Sequence, residues 1–154
     1  MVKTLGNFDI RSRLAYRVNT LAKKMTAWSA STYSKEFDIG VQEWRVLFVL
    51  AGLGEVTANQ ICEFAKMDKG NVSRAIKKLA KEGRIKQRLD AKDRRSTILD
   101  LTPSGLALYE RVKKISDARE KRFMSSLSAT DRKSLPKILK NLEDVMDELM
   151  ENVK

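Results

Sequence analysis

Histidine is absent from this 154-residue chain, and cysteine occurs once, at Cys62. Without histidine there is no Ser-His-Asp triad, no Cys-His dyad and no His-ligated zinc site. One thiol forms neither an intramolecular disulfide nor a Cys-rich metal cluster, and fits a reducing, cytoplasmic setting. No Walker A or G-x-G-x-x-G loop occurs. No run approaches the roughly 20 apolar residues of a membrane span. The start, Met1-Val2-Lys3-Thr4-Leu5-Gly6, lacks the apolar region of a signal peptide. Glu143, Asp144, Asp147, Glu148 and Glu151 share one helix face near the C-terminus, opposite an apolar seam, and read as a solvated surface rather than a metal site. These absences argue against an enzyme, and no cofactor or metal is expected.

Base is plentiful where acid is not. The net charge is +11, with 31 Lys or Arg against 20 Asp or Glu. Residues 66 to 95 hold 12 of the bases and 4 of the acids, a net of +8; the rest of the chain holds 19 and 16. Such a concentrated excess is the electrostatic footprint of a nucleic-acid reader. The length suits one domain, and 42% apolar content is in the globular range.

The charged region has a legible plan. Asp68 is a good N-cap, and Gly83 stands where a helix stops. Between them Val72, Ala75, Ile76 and Leu79 recur at helical spacing. The other side carries Lys69, Gly70, Asn71, Ser73, Arg74, Lys77, Lys78 and Lys81, without an acid. Just upstream, Thr57 and Gln60 have capping-box spacing, and Ile61, Cys62, Phe64 and Ala65 supply apolar positions for a shorter helix. Cys62 is expected in the core. Lys66-Met67 makes the tight turn of a helix-turn-helix. Two strand-like runs follow, Arg84–Leu89 and Ser96–Leu101, around a basic loop. A helix-turn-helix followed by a hairpin is a winged helix.

Long helices flank it. One is expected from Phe8 to about residue 36, with a seam through Ile10, Leu14, Val18, Leu21, Met25 and Trp28. Phe37 to Gly40 breaks it, and a third helix runs from Gln42 to about Gly52, then a loop to Thr57. Thr102 and Pro103 open a helix to about Leu127. The last is expected from Asp131, with Pro136 in its first turns and a seam through Leu135, Leu142, Met146 and Leu149. Such seams ask for a second copy. The expected fold is mainly α (α+β): residues 1–40 and 104–154 form a helical dimerisation region, and 41–103 form the winged-helix lobe. Within the lobe the helix-turn-helix is 57–83 and the wing 84–101.

The stretch K-G-N-V-S-R-A-I-K-K-L-A-K-E-G-R-I, the wing D-A-K-D-R-R-S-T-I-L-D-L-T-P-S-G and the closing helical pair together resemble the MarR family of bacterial transcription regulators. Lys92 stands where that family more often has arginine, keeping the charge but not the bidentate fork. The resemblance implies an obligate dimer on a palindromic operator, and a ligand cleft where dimerisation helices meet the DNA-binding lobe. It also implies release of DNA by small aromatic or phenolic compounds, and a cytoplasmic setting in a bacterium or archaeon. Some members sense peroxide through a cysteine near the start of the first long helix. Here Leu14, Ala15 and Tyr16 occupy that neighbourhood.

Residue roles follow. Asn71, Ser73 and Arg74 are the candidates for base edges, since Asn pairs with adenine and Arg with guanine. Lys69, Lys77 and Lys78 suit phosphates, as do Arg88 and Lys92 on the wing. By resemblance, Arg94 enters a narrow minor groove. Asp93 is structural, holding Arg95 or the loop backbone. Tyr16, Trp28, Tyr33 and Trp44 are candidates for the ligand cleft, with Arg17 or Arg45 pairing an anionic ligand. The functional expectation is a homodimeric, sequence-specific regulator of double-stranded DNA, a repressor released by a small aromatic acid or phenol. The alternatives are a DNA-binding dimer without ligand sensing, and a winged helix used for protein docking.

Overall fold

The computed structural model describes residues 9–91 and 96–153. The chain divides into two compact units, Met1–Val112 and Lys113–Lys154. A single turn of 3-10 helix, Ile10–Ser12, precedes α1 (Leu14–Phe37) and α2 (Val41–Leu53). Then come β1 (Val56–Thr57), α3 (Ala58–Ala65), α4 (Lys69–Lys81), β2 (Ile85–Leu89) and β3 (Thr97–Leu101). Helices α5 (Pro103–Ser125) and α6 (Ala129–Glu151) close the chain. The sheet has the order β1-β3-β2, and both pairings are antiparallel. Val56 lies opposite Leu99, and Ile85 opposite Leu101. This is a winged helix with long helices before and after it in the chain.

One core organises the first unit. Val46, Leu47 and Leu50 from α2 are almost fully buried, as are Ile61 from α3, Val72, Ala75 and Leu79 from α4, and Leu99 from β3. Each aliphatic side chain removed from water there contributes about 1.5–3 kcal/mol. The apolar stripe expected on α4 is therefore what fastens that helix to the protein.

Several boundaries differ from the sequence reading. Phe8 lies outside the described residues, and α1 starts at Leu14. The Asp9 carboxylate accepts from Arg11 N at 3.0 Å, and Arg13 is extended. That local cap closes one separate turn. The expected loop from Gly52 to Thr57 ends in strand β1, whose two residues are too few for an alternating pattern to register. Helix α6 begins at Ala129, because Ser128 Oγ accepts from Asp131 N at 3.1 Å. Pro136 is thus the eighth residue of α6, about two turns inside the helix. Cys62 is half-buried, not core: it lines a cleft of about 340 Å³ between α3, α4 and the sheet. Phe64 is exposed on α3.

Each unit leaves an apolar helical face uncovered. Ile10 in the 3-10 turn and Leu14, Val18, Leu21 and Trp28 along α1 are all exposed. In the second unit Ile138, Leu139, Val145, Met146 and Leu149 are exposed on α6, which has no buried residue.

Candidate nucleic-acid interface

Both ends of α4 are set by local chemistry. Asp68 is extended and its Oδ1 accepts from Asn71 N at 2.8 Å. That backbone N–H holds the Asp68 carboxyl below the usual range, with the Asn71 amide and Arg74 assisting. At the far end Gly83 has φ +67°, and Arg84 N reaches back to Leu79 O at 2.8 Å. A Cβ-bearing residue in that conformation costs about 1–2 kcal/mol. The preceding turn is closed differently. Lys66 takes φ +49°, and Met67 N donates to Cys62 O at 3.0 Å. A lysine, not a glycine, thus holds the left-handed position that closes this turn.

With its stripe buried, α4 exposes Lys69, Ser73, Arg74 and Lys77. Two other members of the expected set are engaged within the protein. Lys78 is half-buried, and its ammonium donates to Asp38 O at 2.9 Å, the C-cap of α1. A cation at a helix C-terminus is favoured by the dipole. Asn71 is bound on both sides, to Asp68 and to Arg74. On the wing, Arg88 Nη2 lies 2.5 Å from Glu55 Oε2, both exposed. Such a pair contributes about 1 kcal/mol at most. Lys86 is tied to Asp100 at 2.8 Å. Its hydrogen bond holds the Asp100 carboxyl down and raises the Lys86 ammonium. Lys92, Asp93, Arg94 and Arg95 lie outside the described residues.

The wing's base is pinned to α5. Thr102 Oγ1 and Ser104 Oγ both donate to Gly83 O, at 2.7 and 2.8 Å. Thr102 Oγ1 also accepts from Gly105 N at 3.1 Å, so it caps α5 as its sequence suggests. Recognition helix and wing therefore share one anchor.

The residues suggested for a ligand cleft are only partly gathered. Trp44 is buried and stacks on Tyr109 with centroids 5.5 Å apart. Tyr33 bridges the two tryptophans, 5.8 Å from Trp44 and 6.5 Å from Trp28. Its hydroxyl is buried without a hydrogen-bond partner among the described residues. Tyr16 and Arg17 are exposed near the start of α1. Tyr16 lies twelve residues before Trp28, about 18 Å along the helix. Arg45 is exposed on α2. Sequence reading missed Tyr109, because only the packing of α5 on α2 brings it there.

A family model for the MarR family matches residues 37–96. The HTH-type transcriptional regulator YkoM of Bacillus subtilis is 31% identical over 130 residues, which span 84% of each chain. The chain belongs to the MarR family. A MarR/EmrR family regulator from Acinetobacter sp. ADP1 superposes with a TM-score of 0.83 at 29% identity, over 92% of this chain and 99% of that one. Bordetella bronchiseptica BpsR, whose DNA binding is regulated by 6-hydroxynicotinic acid, superposes at 0.79 with 19% identity, over 90% and 99%. At that identity the likeness shows the MarR fold alone.

Proposed function

We propose that this MarR-family chain is a homodimeric, sequence-specific DNA-binding transcription regulator acting in the cytoplasm. It represses from a palindromic operator and releases it on binding a small aromatic or phenolic ligand. The observation that carries the reading is the face of α4: Lys69, Ser73, Arg74 and Lys77 stand exposed, no acid lies among them, and the opposite stripe is core. A polyanion fits that face; an ordinary protein-docking face needs no such one-sided charge. Ser73 and Arg74 meet base edges in the major groove, and Lys69 and Lys77 meet phosphates. Arg88 exchanges Glu55 for a phosphate at little loss, since their pair is exposed. Lys92 adds a wing phosphate contact, Arg94 enters the minor groove, and Asp93 steadies Arg95.

The dimer is supported by the uncovered seams on α1 and α6. A second copy doubles the contacts and matches a two-fold operator. Ligand response is supported by the aromatic group of Trp28, Tyr33, Trp44 and Tyr109, where the Tyr33 hydroxyl lacks a partner among the described residues. BpsR provides the precedent for control by a small aromatic acid.

The test is binding of purified protein to DNA from upstream of its own gene, against scrambled DNA, across a salt series. Specific DNA wins by at least about 10³-fold, and six or more phosphate contacts lower affinity about 10³-fold between 50 and 200 mM salt. Equal binding to both DNAs refutes sequence-specific regulation at that site. A thermal-shift series with small aromatic acids tests the ligand arm, since a ligand of the folded state raises the melting temperature. No shift with any of them leaves a DNA-binding dimer without this sensor.

A further inference from the structure

The sequence Asp68-Lys69-Gly70-Asn71 contains an oddity. Gly70 is the second residue of α4, and its φ is not left-handed. Glycine in a helix costs about 0.5–1 kcal/mol relative to alanine. The backbone does not require it, but side chains occupy the space above it. A Cβ at Gly70 would lie 3.2 Å from Asp68 Oδ1 and 3.4 Å from Arg74 Nη1. Arg74 therefore lies back over Gly70, as helical side chains lean toward the N-terminus.

What holds it there is a chain of hydrogen bonds. Arg74 Nη2 donates to Asn71 Oδ1 at 2.6 Å. Asn71 Nδ2 donates to Asp68 Oδ2, and Asp68 Oδ1 takes the Asn71 backbone N–H at 2.8 Å. The N-cap of the helix is thus connected, through one amide, to the guanidinium on its outer face. Asn71 thus spends one of its two amide hydrogens and one of its oxygen's two lone pairs inside the protein. Reading adenine bidentately needs the amide edge turned to the base, and these two bonds hold it toward Asp68 and Arg74. Arg74 is in the opposite position. It has five N–H donors and uses one here, so an edge stays open for guanine O6 and N7.

We propose that Asn71 is a positioning residue: gripped by Asp68, it fixes the Arg74 guanidinium over Gly70 to read one guanine per half-site, and it reads no base itself. The inference rests on the reading of α4 as the DNA-contacting helix. Its physical advantage is preorganisation. A free arginine loses much rotamer freedom on docking, whereas a held one has lost it beforehand.

The experiment selects preferred duplexes for the full-length protein from a library randomised across the binding site. It then measures the affinity ratio at each base pair for wild type, Arg74→Ala, Asn71→Ala, the double variant and Gly70→Ala. Folding is not at stake, because alanine favours the helix at both 70 and 71; melting curves verify it. Arg74→Ala is expected to lose about 5- to 150-fold of discrimination at one base pair per half-site. Asn71→Ala loses part of the discrimination at that same base pair, and the double variant is no worse than Arg74→Ala. Gly70→Ala brings a methyl to 3.2 Å from Asp68 Oδ1 and 3.4 Å from Arg74 Nη1, so any change it makes in preference falls at that same base pair. Loss at a different base pair in Asn71→Ala, with additive loss in the double variant, makes Asn71 an independent reader and overturns the proposal. So does an unchanged preference in Asn71→Ala, or a changed preference at another base pair in Gly70→Ala. A wild type without preference at any base pair fails separately: it removes the sequence-reading function, and this role with it.

Discussion

The substitution Gly105→Ala tests the anchor between wing and α5. Gly105 is buried at the third position of α5. A Cβ there would lie 1.9 Å from Arg84 O, 2.9 Å from its carbonyl carbon and 3.4 Å from its Cα. Carbon and oxygen settle at about 3.3 Å even in close C–H···O contacts, so the backbone must move about 1.4 Å. Arg84 O also accepts from Thr102 N at 3.0 Å, and a shift of that size breaks the bond. Overpacking costs about 1–3 kcal/mol and the lost hydrogen bond about 1, while alanine's helix preference returns about 1. The net is a destabilisation of about 1–3 kcal/mol. At 2 kcal/mol the melting temperature falls by about 4–8 °C for a chain of this length. Gly52 is the internal control. It lies in α2 with nothing within 4 Å of its would-be Cβ, and its φ is not left-handed. The same change there stabilises by about 0.5–1 kcal/mol. Circular-dichroism melts at one protomer concentration read both, since a dimer's melting temperature depends on concentration. An unchanged or higher melting temperature for Gly105→Ala refutes the close approach of α5 to Arg84. Shifts of the same sign at both positions refute the reasoning altogether.

Lys66→Gly relieves a left-handed lysine and stabilises by about 1 kcal/mol, read as a higher urea midpoint at unchanged slope; a loss of stability shows the turn is not strained. Asp100 titrates below the ordinary carboxylate value of about 3.9 because Lys86 bonds to it. Its contribution to stability is therefore complete above that value and fades as pH drops through its lower, folded-state value. In Lys86→Met an NMR titration finds the Asp100 midpoint raised toward the ordinary value; an unmoved midpoint refutes the ion pair as the cause. Met146→Glu places charge on the uncovered face of α6 and yields a helical monomer by light scattering, whereas a persisting dimer removes this face from the interface.

The helix-turn-helix was readable from the chain because its boundaries are local. Thr57 and Gln60 form the capping box of α3, with Thr57 N donating to Gln60 Oε1 at 2.8 Å. Asp68 caps α4, and Gly83 ends it. A cap is decided within about four residues, and a buried stripe by a period of about 3.6, so neither needs the rest of the fold. The basic outer face is likewise a property of residue order.

What the order of residues left open is set by pairs far apart in the chain. Lys78 meets Asp38 forty residues away, and Arg88 meets Glu55 thirty-three residues away. Both look like free cations in the sequence, because a distant carbonyl or carboxylate leaves no local mark. Trp44 is enclosed by Tyr33 and Tyr109 from other helices, and β1 became a strand only when β3 lay beside it. Gly70 and Asn71 are intermediate: they lie four and three positions before Arg74, yet only side-chain directions show that one lies beneath the guanidinium and the other holds it. Local hydrogen-bonding needs wrote the helix ends into the sequence. Which charges remain available on the surface was decided by tertiary packing, since a charge is committed or free only once its neighbours are in place.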